Sequence, residues 1–298
     1  MDDGASARWP SAMMIGIACG AGASACWAAG FVAARHGVSV GFAPTDLALH
    51  RYVWSGLALL PLLPLHASSE LRTIGWGPIL ILALLNGPLF SIISYAGFLL
   101  VPLGHGALIQ PSSAALTGLL LATLILKEKL PLTRITGALI IVAGLMVIAG
   151  EALATIGTHG LLGDLAFATA GAMFGTFGIC LKQWRITPLR SVGIVSVLSL
   201  SYVPIHAWLF GFDRLIGIGF YENLIQALIQ GGLAGPAATY FYTRSVIILG
   251  AGRAAVFPSL VPGFALIIGF LVLGDVPSLM QCIGFIVVLI GFRLAQRG

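Results

Sequence analysis

The sequence predicts an all-α integral membrane protein of ten transmembrane helices, arranged as two inverted five-helix repeats. Three observations carry this. Hydrophobic residues make up 58% of the 298 positions and charged residues only 8%, against about 25% charged in a soluble domain. Ten apolar stretches each approach the ~20 residues that a membrane-crossing helix needs. A shift of 147 residues lays the second half of the chain on the first. A chain this poor in charge cannot cover a surface in water, and its mean hydropathy of +1.03 agrees.

The ten segments run over 13–34, 46–65, 76–100, 104–126, 131–150, 161–183, 188–211, 224–249, 252–273 and 277–295. The first follows the acidic "MDDGASARWPS", which lacks a basic leader, and its length reads as a retained helix rather than a cleaved signal. The second ends before the polar break "HASSELRTIGWG". The third carries Gly87-Pro88. The fourth contains Pro111 and stops on Lys127-Glu128-Lys129. The fifth spaces Gly137 and Gly144 along one face. The sixth ends at Lys182 and the seventh runs to the break before "YENL". The eighth repeats a Gly-Pro at Gly235-Pro236. The ninth contains Pro258, and the tenth spaces Gly284 and Gly291. The 39 glycines suit helices that approach closely within a membrane.

Charge sets an expected orientation. With the N-terminus inside, twelve of the fifteen Lys and Arg residues fall at inner helix ends; only Arg35, Arg51 and Arg214 fall outside. That bias places both termini in the cytoplasm. It also explains the net charge of +5 without a nucleic-acid partner, since the basic residues are scattered in short loops. The four cysteines lie inside apolar segments and read as small core residues.

The 147-residue shift carries Pro111 onto Pro258, Ser112 onto Ser259, Glu128 onto Asp275, Gly137 onto Gly284 and Gly144 onto Gly291. It also carries Trp27 onto Phe174 and Tyr95 onto Tyr242. Five helices per copy is an odd number, so the second copy enters the membrane from the opposite side. Inverted repeats of this kind build many secondary transporters, with the site near the midplane between the halves.

The residues that repeat also resemble a known family. "PSSAALTGLLLATLILKEKLPLTRITGALIIVAG" (111–144) is similar to the closing signature of EamA-type members of the drug/metabolite transporter superfamily. "PSLVPGFALIIGFLVLGDVPSLMQCIGFIVVLIG" (258–291) resembles a second copy, with Asp275 in place of the usual Glu. "CWAAGFVAAR" (26–35) and "LHRYVWSGLALLPL" (49–62) resemble the family's first two helices. The resemblance implies export of small metabolites across a bacterial inner membrane, through a cavity lined by helices 1, 3, 4, 6, 8 and 9. By length and the lack of extra domains, the chain is similar to the family's amino-acid exporters, including those of aromatic amino acids.

Candidate substrate-binding residues follow from polar and aromatic side chains set within these segments. Pro111 and Pro258 interrupt equivalent helices and read as hinges that also free carbonyls. Gln110 beside Pro111 is costly to bury in lipid and is expected to face a wet cavity, while Ser112 and Ser113 can bond back to their own helix. Asn86, Phe90 and Ser94 recur every fourth residue, with Ser91 and Tyr95 beside them. Thr239, Tyr240 and Tyr242 follow the second Gly-Pro. Trp27 and Phe174 sit about mid-helix, where an indole needs a partner for its N–H. The other tryptophans read as interfacial or packing residues.

The remaining groups receive structural expectations. Glu128 is read as a helix-end cluster paired with Arg134. His50 and Arg51 begin the second segment; they are expected at the interface, with a protonation or substrate-carboxylate role as the alternative. His206 is read as a packing or hydrogen-bonding residue. All ten acidic residues fall in tails, loops or helix ends, so proton coupling through a buried carboxylate is not expected. The six histidines show no metal-binding spacing and no catalytic constellation is present, so neither a cofactor, a metal nor an enzyme activity is expected. The expected partners are a small neutral or zwitterionic molecule and the lipid bilayer. Export of another metabolite or drug, and a passive channel, are the alternatives.

Overall fold

The computed structural model describes residues 8–62, 74–101, 103–129, 131–150, 160–273 and 276–297. Among the described residues there is helix and short connection, with no strand. Helix stands at each of the ten places that the sequence marks. These are α1 (Arg8–Ser39), α2 (Pro44–Leu59), α3 (Trp76–Leu100), α4 (Leu103–Leu124), α5 (Leu132–Ala149), α6 (Leu161–Gln183), α7 (188–209), α8 (220–249), α9 (251–273) and α10 (Leu279–Gln296). By length and hydropathy, α1, α3, α5, α6, α7, α9 and α10 can each cross a membrane, and α4 contains a shorter apolar helix, Leu108–Leu124. Leu80, Leu84, Leu120, Leu139, Trp208 and Ile286 stand exposed on outer faces. So much bare apolar surface is stable against lipid rather than water, and the chain is a multi-pass membrane protein.

Glycine fixes how the halves meet. A Cβ on Gly144 of α5 would lie 2.7 Å from the Val288 nitrogen and 2.8 Å from the Gly284 oxygen of α10. One on Gly137 would lie 2.7 Å from the Gly291 oxygen. The contacts are reciprocal, since Gly284 meets the Gly144 oxygen and Gly291 the Gly137 oxygen. As one helix is followed forward its partner residues run backward, so α5 and α10 are antiparallel. Only residues without side chains allow backbones this close. A second reciprocal pair joins the other helices. Gly171 of α6 packs on the Gln110 oxygen of α4, and its equivalent Ser24 of α1 donates to the Phe257 oxygen of α9 at 2.8 Å. Residues equivalent by the 147-residue shift thus make equivalent contacts, as a two-fold axis in the membrane plane requires.

Helix geometry breaks where Gly-Pro falls. Gly87 takes extended dihedrals (φ −99°, ψ −157°) and splits α3 into Trp76–Asn86 and Pro88–Leu100. In α8 the second Gly-Pro lies inside a π-helical stretch, Ile229–Ala237, between Phe220–Leu228 and Ala238–Leu249. Proline lacks the N–H that an α-turn needs, and an inserted π-turn is one way a helix absorbs that loss. The two hinge candidates differ. α4 runs unbroken through Pro111. α9 is interrupted around Pro258, which sits in a 3-10 turn, Phe257–Leu260, between Ala251–Ala254 and Val261–Leu273. The stop after α4 is left-handed, with Lys127 at φ 53°.

Candidate functional site

A cavity of about 550 Å³ lies between the two halves, within the size range of small-molecule sites. Its floor is aromatic. The Phe174 ring of α6 lies edge-on to Trp27 of α1, centroids 4.8 Å apart, and 6.1 Å from Phe90 of α3. Beneath it, Tyr242 of α8 packs 4.7 Å from Phe174 and 5.5 Å from Trp27. Tyr242 and Phe177 are fully buried, so this plug closes the cavity on the side of Glu128 and Arg253. On the opposite side the lining includes the exposed Arg35 together with Val276, Pro277 and Gln281, and there the cavity opens.

One wall is polar. Ser94 of α3 donates to Gln110 Oε1 of α4 at 2.8 Å. Tyr95 donates to Gln230 Oε1 of α8 at 2.9 Å, and Gln230 Nε2 donates to the Gly30 carbonyl of α1 at 2.7 Å. Arg51 of α2 donates through Nη1 to the Tyr95 oxygen at 3.4 Å. Ser91 and Tyr52 share a hydroxyl–hydroxyl bond of 2.9 Å. The opposite wall is apolar and comes from α9, with Val261, Pro262, Ala265 and Leu266.

Of the residues singled out in the sequence, Trp27, Phe90, Ser91, Ser94, Tyr95, Gln110, Pro111, Phe174 and Pro258 line this cavity. Asn86, Thr239, Tyr240 and Tyr242 do not. Asn86 is buried, and its backbone oxygen accepts from Tyr52 at 2.9 Å; the bend at Gly87 takes it off the face of Phe90 and Ser94. Tyr240 lies about 200° around the helix from Tyr242, and it meets Phe241 and Arg244 on the exposed side. Thr239 is buried, its oxygen accepting from Thr243. Tyr242 forms the plug beneath the cavity floor. No residue of α8 lines the cavity, although the family resemblance implied it; α8 acts through Gln230 and Tyr242. Gln230 carries the same signal as Gln110, an amide within an apolar run, and was missed.

Arg51 corrects a second expectation. It does not sit at the interface but is only 6% exposed and lines the cavity. His50 beside it is fully engaged. Trp54 Nε1 donates to its Nδ1 at 3.0 Å, which leaves Nε2 to donate to Asn223 Oδ1 at 3.0 Å. Two acidic residues at helix ends are buried rather than solvated. Asp46 lies 3.4 Å from His206 and 3.2 Å from Arg214, and Asp164 pairs with His105 at 2.6 Å. Glu128 does more than pair with Arg134, 3.8 Å away. Its two carboxylate oxygens accept from the Ala251 and Gly252 amides at 3.2 and 3.3 Å, so it caps the start of α9 in the other half. Its equivalent, Asp275, lies outside the described residues.

Comparison with known proteins agrees with this architecture. The model of the EamA-like transporter family matches twice, over residues 14–150 and 161–295. The chain is 26% identical over 267 residues to the "Uncharacterized transporter YdfC" of Bacillus subtilis (strain 168), covering 88% of this chain and 84% of that protein. It is 25% identical over 227 residues to the "Uncharacterized transporter YyaM" of the same strain, covering 70% and 68%. A solved structure described only as "Crystal structure of protein" superposes with a TM-score of 0.71 at 16% identity, covering 96% of this chain and 98% of that one. That last likeness speaks to the fold.

Proposed function

The chain belongs to the EamA-like transporter family, and from that premise we propose that it exports small neutral or zwitterionic metabolites by alternating access through the central cavity. Amino acids, including aromatic ones, are the cargo, and the setting is a bacterial inner membrane with both termini cytoplasmic. The observation that carries this reading is the floor of Trp27, Phe90 and Phe174 facing a wall of hydroxyl and amide groups from Ser94, Tyr95 and Gln110. Aromatic faces take up an apolar side chain, and the polar wall takes up the backbone groups of an amino acid. Pro111 and Pro258 are the hinges in this scheme. A passive channel fits less well, because the cavity ends blind on the Tyr242 plug.

The test is counterflow with purified protein in liposomes, using a panel of labelled amino acids. Saturable exchange of at least one aromatic amino acid is expected. Flux that grows linearly with concentration, without counterflow, would point to a channel. No flux of any amino acid would end the cargo assignment.

A further inference from the structure

A neutral cargo leaves the buried Arg51 guanidinium in the cavity wall unexplained. We infer that this guanidinium is the binding site for a carboxylate, and that the cargo is a small acid or zwitterion whose apolar body, one short linker away, rests on the aromatic floor. This rests on the transport reading above for its biological meaning, though not for the binding itself.

The chemistry of the site carries the inference. Arg51 is buried and lines the cavity. A buried charge is expensive unless a partner or a ligand meets it. Among the described residues no carboxylate lines the cavity. The acid nearest in sequence, Asp46, is already engaged by the Ala43 amide, Arg214 and His206. What Arg51 has are neutral phenols: the Tyr95 hydroxyl at 3.4 Å and Tyr52, which it also meets by a side-chain hydrogen bond and whose ring lies 5.9 Å away. Its Nε has no hydrogen-bond partner. Holding Tyr95 in place needs only a neutral donor, whereas a guanidinium fork matches a carboxylate with two parallel bonds.

The rise along α3 sets a rough length for the ligand. Arg51 meets α3 at Tyr95, and the ring floor meets α3 at Phe90. Five residues of helix separate them, roughly 7.5 Å of rise. A carboxylate joined to an aromatic ring through two or three carbons spans that distance; acetate does not. Tyr95 is held in turn by Gln230, so the anion anchor couples α2 and α3 of one half to α8 of the other.

The experiment measures ligand-induced thermal stabilisation of the full chain in detergent with four probes of similar body: 3-phenylpropionate, phenylalanine, 2-phenylethylamine and 3-phenylpropanol. The two carboxylates are expected to bind at least about tenfold tighter than the amine and the alcohol. Arg51→Gln abolishes that preference, and Arg51→Lys keeps part of it. Equal binding of all four probes, or an unchanged preference in both variants, overturns the inference. So does absence of carboxylate binding up to roughly 10 mM, far weaker than a metabolite site would show. The wild-type series decides the matter even if a variant fails to fold. The cargo reading fails separately: carboxylate binding without counterflow of labelled phenylalanine supports the Arg51 site and removes the amino-acid cargo, while counterflow blind to the carboxylate does the reverse.

Discussion

Tyr95 and Tyr242 are equivalent by the 147-residue shift, yet one faces the cavity and the other is sealed beneath it. Tyr95 lines the wall, with its hydroxyl bonded to Gln230 and reached by Arg51. Tyr242 is fully buried against Trp27 and Phe174, and its hydroxyl has no partner. The helix ends around them differ in the same sense. At the closed end Glu128 clasps the start of α9; at the open end Gly106, Ile148 and Gln281 border the cavity mouth. A two-fold axis makes the two arrangements interchangeable. In the proposed cycle, opening the other end means giving Tyr242 the surroundings that Tyr95 has here.

Four sets of substitutions probe this asymmetry, in decreasing order of effect. Gly144→Leu strikes the seam where the two halves pack on each other's backbone. Its side chain would meet the Val288 and Gly284 backbone, which cannot swing aside, so a loss of about 3 kcal/mol or more is expected. Size-exclusion chromatography should show little monodisperse protein. Next comes the floor and wall: Trp27→Ala combined with Tyr95→Ala should lower counterflow by at least about tenfold, and unchanged transport would refute the assignment of the cavity.

Glu128→Gln should loosen the closed end only. Cys180 lies in the apolar cluster with Ala251, Ala254 and Tyr242, and in a variant retaining it as the sole cysteine it should react several-fold faster with a maleimide once the charge-assisted bonds weaken. An unchanged rate would leave Glu128 a passive cap. The smallest effect separates the two tyrosines. Tyr95→Phe should cost about 1 kcal/mol, as one side of its hydrogen-bonded chain is lost. Tyr242→Phe should be neutral or stabilising in thermal melts, because a buried hydroxyl without a partner is removed.

The glycine and proline repeats made the fold legible, because backbone contact at α5 and α10 admits no other residue and so leaves a mark in the sequence. Much of the cavity lining was legible for a related reason: polar and aromatic groups such as Gln110, Ser94 and Trp27 stand out within apolar helices. What stayed hidden depends on local helix geometry and on depth. The bend at Gly87 displaced Asn86, and no α-helical face holds both Tyr240 and Tyr242. Arg51 begins a segment, which normally means the membrane surface; here the cavity opens toward that end, so a residue near a helix start faces the interior. The burial of Asp46 and Asp164 was equally invisible, since each depends on partners distant in sequence, Arg214 and His206 for Asp46 and His105 for Asp164.

The most direct test of alternating access labels the two equivalent positions from either side of the membrane. Tyr95→Cys and Tyr242→Cys, each in a protein stripped of its native cysteines, would be treated with a membrane-impermeant maleimide in oriented vesicles. Alternating access predicts that the Tyr95 position reacts only from the side of Arg35 and the Tyr242 position only from the side of Glu128. It also predicts that a condition raising one rate lowers the other. Reaction of either position from both sides at once, or rates that rise together, would contradict it.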